Sequence, residues 1–157
     1  MLDVESTRFL AFDDEQKTET GARALFEYVL DNYDSPDVVH AYVIANISTN
    51  AYLSSCGFAP YEDGIVECYY VIKPEYQRQG FAVEATQALI AALLPSVEVR
   101  AYCHSDNIAA HIVARNSNMT PLGLGRNNSS GLEGRYSLRE RTDNQFTPEN
   151  WFLAILT

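Results

Sequence analysis

Cysteine is scarce in this sequence: Cys56, Cys68 and Cys103 make three, an odd number with no C-x-x-C pair. That argues against a disulfide framework and a cysteine-rich zinc site, and a reducing cytoplasm is the expected setting. Long hydrophobic runs are lacking as well, so no membrane-spanning stretch is expected. The start Met1-Leu2-Asp3-Val4-Glu5 is too acidic for a signal peptide. Positive charge is in short supply, with 11 Lys and Arg against 21 Asp and Glu and a net charge of −10. Nucleic-acid backbones and anionic lipid would be repelled, which leaves amines and basic peptides as partners. No repeat, low-complexity tract or linker interrupts the 157 residues. One domain over 1–157 is expected, its motif-bearing part at 38–139 and an apolar tail at 147–157.

The charge is unevenly spread. Met1 to His40 carries ten acids against three bases, and Arg115 to Arg141 carries five arginines against Glu133 and Glu140. A solvated helical N-terminus and a basic strand region account for this; so does attraction of a cationic substrate.

Apolar spacing predicts a helix over Thr18 to Asn32, with Ala22, Leu25, Phe26, Val29 and Leu30 on one face and Thr20 as N-cap. β-Branched and aromatic residues predict strands over Val38–Ile47, Asn50–Phe58 and Ile65–Ile72, with a turn at Tyr61-Glu62-Asp63-Gly64. The period then changes. Gly80 to Leu94 puts Phe81, Ala85, Ala88, Leu89, Ala92 and Leu93 on one helical face, and Pro95 ends it. Val97–His104 reads as a strand, Asp106 or Asn107 as the cap of a helix to about Asn116, and Met119–Leu124 and Leu132–Arg139 as the last strands. Thr147-Pro148-Glu149 resembles a helix start before Trp151 to Leu156. The fold class is α/β, with a mixed, mostly antiparallel twisted sheet flanked by helices.

The stretch Glu67 to Ala85 carries the most information. A buried strand runs through Lys73-Pro74-Glu75-Tyr76 into Gln77-Arg78-Gln79-Gly80-Phe81-Ala82, which opens an amphipathic helix. A helix N-terminus offers unpaired N–H groups and partial positive charge, and a glycine without Cβ lets a pyrophosphate approach. Arg78 adds a charge-assisted contact. An ordinary strand-to-helix turn, its glycine relieving crowding, fits the same spacing. No Gly-Lys-Ser/Thr follows, and only one glycine is present, so neither a P-loop nor a dinucleotide fingerprint applies.

The string Val71 to Ala85 closely resembles the acetyl-CoA-binding motif of the GNAT family of N-acetyltransferases, through Gln77, Gly80 and Ala82. Glu84-Ala85 is similar to the branch acting on ribosomal-protein N-termini. Asn107 to Met119 resembles the family's second, Asn-led helix. The resemblance implies acetyl transfer from acetyl-CoA to a primary amine, a protein N-terminus or a small amine, with no metal. It implies that the backbone of Tyr70, Val71 and Ile72 pairs with pantetheine. The pyrophosphate then sits on Gln77, Arg78, Gln79, Gly80, Phe81 and Ala82, and Asn107 binds the pantetheine arm near its sulfur.

Acetyl transfer to an amine benefits from a general base, because the amine must lose a proton before attack. Glu67 lies on the strand where the related branch often carries Glu, and shares a face with Tyr69 and Val71. A strand glutamate paired with an arginine or water is the other reading. The family's second helix often supplies a Tyr or Ser near the leaving thiolate; Ala110 and Ala114 stand there instead. Tyr69 or water is left as proton donor, and a non-catalytic acyl-CoA-binding or regulatory module is the alternative. Asn118 replaces the glycine ending that helix, as the next-best residue in a left-handed turn. The family's usual first strand has no match in Met1 to Phe12. The tail Trp151 to Leu156 is then expected to cover the sheet edge, in cis or in a homodimer. His40, His104 and His111 show no ligand spacing, and Cys68 and Cys103 read as small core residues.

Overall fold

The first helix begins where a threonine hydroxyl can hold its open end. Thr18 Oγ1 donates to Glu15 O at 2.7 Å and accepts from Gly21 N at 3.0 Å, so the helix α1 runs Glu19–Asp31. Thr18, not Thr20, is the cap, because only its hydroxyl reaches an orphan amide of the first turn. The computed structural model describes residues 8–9, 13–127, 131 and 133–140. The expected tail at 147–157 lies outside the described residues, as do residues 1–7 and 10–12 of the stretch lacking the first strand.

Strand β1 (His40–Ala45) follows, then β2 (Tyr52–Glu62) and β3 (Ile65–Ile72). β2 runs further than its composition suggests, through Pro60 to Glu62, and the turn shrinks to Asp63-Gly64. A register shift between Pro60 and Glu62 absorbs the proline, the kind of position a strand tolerates one. A short 3-10 turn at Pro74–Tyr76 leads to α2 (Phe81–Leu93), β4 (Glu98–His104), α3 (Ile108–Asn116), β5 (Thr120–Arg126) and β6 (Glu133–Arg139). The sheet order is β1-β2-β3-β4-β6-β5, antiparallel except where β3 and β4 run parallel. This is the expected mixed, mostly antiparallel sheet.

The core lies on one face of that sheet. Cys56, Val66, Cys68, Val99 and Ala101 alternate inward from the strands and meet Leu89, Ile90 and Leu93 of α2 and Ala114 of α3. The buried stripe of α2 is Thr86, Leu89, Ile90 and Leu93, turned from the alanine-rich face that spacing alone picks out. The larger side chains take the sheet contact, since they bury more apolar area than alanines do. On α1, Phe26 and Leu30 are 62 % and 55 % exposed, so the expected apolar face is not a core face among the described residues. Asn118 turns left-handed at φ 57° just after α3, as a C-terminal asparagine can. Among the described residues, no helix is long and apolar enough to cross a membrane.

Candidate functional site

The strands β3 and β4 pair only over Ile65↔Glu98, Val66↔Val99 and Glu67↔Arg100. Beyond Glu67, β3 stays bonded to β2 as far as Ser54↔Ile72, and β4 stays bonded to β6 as far as His104↔Gly134. The centre of the sheet therefore splits. Cys68 to Ile72 present an edge with no strand partner among the described residues, and such an edge offers N–H and C=O groups to a ligand that can run as a strand. Tyr70, Val71 and Ile72 lie on it.

At the end of that edge the chain makes a strained turn. Arg78 sits at φ 59° and Gly80 at φ 93°, the latter as N-cap of α2. Gly80 brings no capping side chain, and the first intrahelical bond is Glu84 N to Gly80 O at 3.1 Å. The amides of Phe81 and Ala82 precede that bond, and a helix N-terminus of this kind suits a phosphate. A Cβ built on Gly80 would meet nothing within 4 Å, so the space in front of the turn is open. Gln77 and Gln79 point back into the loop: Gln77 Nε2 donates to Ile72 O at 3.0 Å and Gln79 Nε2 to Glu75 O at 3.3 Å. Both hold the shape of the turn. The bare strand edge and the open glycine turn together fit an extended arm ending in a pyrophosphate.

Asn107 caps α3, its side-chain oxygen accepting from Ala110 N at 3.1 Å. Tyr70 does more than lend its backbone. Its hydroxyl donates to Ala110 O at 2.9 Å and lies 3.6 Å from Cys103 Sγ, so it braces β3 against both β4 and α3 where the strands part. Burial pushes its phenol far above the ordinary range, so it stays a neutral donor. Tyr70→Phe is expected to lower stability by about 1 kcal/mol, the usual worth of one such bond. A thermal melt checks this: a loss of about 2–4 °C is expected for a chain of this size, and none would show that the hydroxyl braces nothing.

Glu67 and Tyr69 lie on the sheet face opposite the core. Glu67 Oε2 is 3.4 Å from Arg100 Nε, and Asn127 Nδ2 donates to Glu67 Oε1 at 3.5 Å. Burial pushes the Glu67 carboxyl above its ordinary range, opposed by the Arg100 charge and the Asn127 hydrogen bond. The arginine partner left open by the sequence is thus present, and it is a residue that sequence reasoning missed. Arg100 stands between Val99 and Ala101, both fully buried, and a lone cation in an apolar strand was the available signal. Tyr69 leans toward β2, its ring 2.8 Å from where a Gly57 Cβ would stand. Burial pushes its phenol up to about 12, with Ser55 pulling the other way.

Cys68 is buried and its thiol pushed up to about 12, chiefly by desolvation; Cys103 is buried and raised as well. Among the described residues, no three His, Cys, Asp or Glu converge as a metal would require. His40 stacks on Phe58 at 4.9 Å, and His111 Nε2 lies 3.1 Å from His104 O. At the far end of β3 from the turn, a cavity of about 660 Å³ is lined by Asp34, Asp37, His40, Phe58, Glu62 and Asp63, among others.

The model of the acetyltransferase (GNAT) domain family matches residues 2–120. No curated protein matches the sequence. Among solved structures, the chain is similar to a GNAT-family acetyltransferase from Bacillus anthracis, at 19 % identity over 88 % of this chain and 83 % of that one, with TM-score 0.68. It is similar to a ribosomal-protein alanine acetyltransferase from Vibrio fischeri, at 13 % identity over 89 % and 85 %, TM-score 0.65. A microcin self-immunity acetyltransferase, solved with acetyl-CoA and AMP, matches at 12 % identity over 87 % and 79 %, TM-score 0.72. At these identities the likeness is one of fold.

Proposed function

The chain belongs to the GNAT acetyltransferase family, and from that premise we propose that it transfers an acetyl group from acetyl-CoA to a primary amine, at a peptide N-terminus or on a small cationic molecule. The observation that carries this reading is the split sheet: a bare β3 edge over Cys68–Ile72 leading straight to the open turn at Gly80. Tyr70, Val71 and Ile72 would pair with pantetheine, and the turn from Gln77 to Ala82 would hold the pyrophosphate, with Arg78 adding charge. Asn107 would meet the pantetheine arm. When bound, acetyl-CoA supplies an acyl thioester whose carbonyl an amine attacks. A β3 backbone N–H at the parted edge is the donor available to the carbonyl oxygen as it gains charge.

Glu67 takes the proton of the incoming amine. Its burial favours this, because a carboxylate lifted toward the pKa of the amine is a stronger base than an exposed one. Tyr69 remains protonated at working pH and can donate a hydrogen bond to the departing sulfur. The net charge of −10 favours a cationic acceptor over an anionic one.

The protein is to be mixed with acetyl-CoA and, separately, with spermidine, free lysine and basic peptides bearing an unblocked N-terminus, while free thiol is followed. Thiol release that depends on one of these amines is the expected result. Tight acetyl-CoA binding without amine-dependent release across the panel would select a non-catalytic acyl-CoA-binding module, the reading that Ala110 and Ala114 favour.

A further inference from the structure

The guanidinium of Arg100 is held between two aromatic rings, 3.8 Å from the centroid of Tyr61 and 3.5 Å from that of Tyr136. Those rings come from β2 and β6, on either side of the β3–β4 pair that carries Glu67 and Arg100. Two rings this close restrict the movement of the guanidinium, and a cation–ring contact is worth most where water is excluded. Arg100 and Glu67 are only 15 % and 24 % exposed at their side chains.

An arginine free to turn would grip a neighbouring carboxylate with two parallel hydrogen bonds. Here Nε stops 3.4 Å from Oε2, and neither atom has a hydrogen-bond partner although both are buried. The cation therefore lends Glu67 its charge through an ion pair that lacks a hydrogen bond at Oε2. Asn127 attends to the other oxygen, at 3.5 Å. The same pair closes the paired part of β3 and β4, one residue before the bare edge begins.

We propose that Arg100, flanked by Tyr61 and Tyr136, is the positioning residue of the catalytic base: it keeps the Glu67 carboxylate charged and in place without tying it up in a two-bond grip. The inference rests on Glu67 being that base. A buried carboxylate without a cation beside it would be protonated too readily to accept a proton near neutral pH. Among the described residues, Arg100 from β4 and Asn127 after β5 reach the Glu67 carboxyl, with Tyr136 from β6 and Tyr61 from β2 packed around Arg100. The buried thiols of Cys68 and Cys103 lie behind. Arg100 is the cation in this set, so its removal should act on Glu67 first.

The test reads Glu67 directly. The protein is labelled with side-chain ¹³C-glutamate, the Glu67 signal is assigned by its loss in Glu67→Gln, and its titration is followed in native, Arg100→Gln and Arg100→Lys proteins. Arg100→Gln is expected to move the Glu67 titration upward by about one to three pH units, the effect of a cation at this range. The acid limb of kcat/KM, measured with acetyl-CoA and the amine identified from the panel, should move by the same amount. Arg100→Lys keeps the charge but not the plane, so its titration should stay near native while kcat falls; it also serves if Arg100→Gln does not fold. A Glu67 titration unmoved by loss of the cation, or a Lys variant with native kcat, overturns the proposal. If instead the titration moves and the acid limb does not follow, the assignment of Glu67 as base fails, whatever Arg100 does.

Discussion

Gly80→Leu is expected to weaken acetyl-CoA binding by about 10²- to 10⁴-fold in a protein that still folds. The two halves of that expectation have separate causes. The fold survives because a Cβ at Gly80 meets nothing within 4 Å, so the new side chain enters open space and displaces no neighbour. The cost is backbone strain: φ 93° suits glycine, and a side-chain-bearing residue there loses about 1–3 kcal/mol. Binding weakens because that open space is the seat proposed for the pyrophosphate. A leucine in it blocks approach to the first amides of α2, and each charge-assisted bond lost is worth roughly 1.5–3 kcal/mol. Two such bonds weaken affinity by about 10²- to 10⁴-fold. Gly80→Ala, with less bulk in the same strain, should fall between. Calorimetric titration with acetyl-CoA, beside a thermal melt of each variant, decides the matter. A folded leucine variant with native affinity would move the pyrophosphate elsewhere.

Glu67→Gln is expected to lower the rate on the order of 10²-fold near neutral pH, the usual contribution of a positioned base. The pH dependence gives the sharper signature. Burial raises the carboxyl of Glu67, so the native rate should fall away with acid at a pH above the ordinary carboxylate range, as the base takes its own proton. The glutamine variant has no such group, and that limb should vanish from its profile. Toward alkaline pH the acceptor amine, with a pKa of about 8–10, loses its proton unaided, and the deficit of the variant should narrow. A rate within about twofold of native at every pH would remove Glu67 from the mechanism, being far below what such a base contributes.

The elements that could be read from residue order alone are those whose energetics are local. β3 was legible from Ile65 to Ile72 because its β-branched and aromatic residues favour a pleated, half-buried run. Gly80 opening α2, Asn107 capping α3 and Asn118 turning left-handed after it are each decided within a turn of chain, by one side chain and the amides next to it. Where several local solutions compete, tertiary packing decides. Thr18 displaced Thr20 as cap, β2 ran on through Pro60, and α2 turned its larger residues to the sheet. Packing chose among alternatives that differ little in propensity.

By itself, then, the order of residues determined the strand, the glycine turn and the helix as one continuous device, and with them the family the chain belongs to. The tertiary structure alone decided what surrounds it. Nothing in the spacing of residues says that β3 and β4 part just after Glu67 and Arg100, that Tyr70 reaches across to Ala110, or that Tyr61 and Tyr136 close on one guanidinium. Those contacts join residues far apart along the chain. Their formation depends on sheet register and on the side chains of several strands meeting at once, and register is set by which faces become buried when the whole sheet packs.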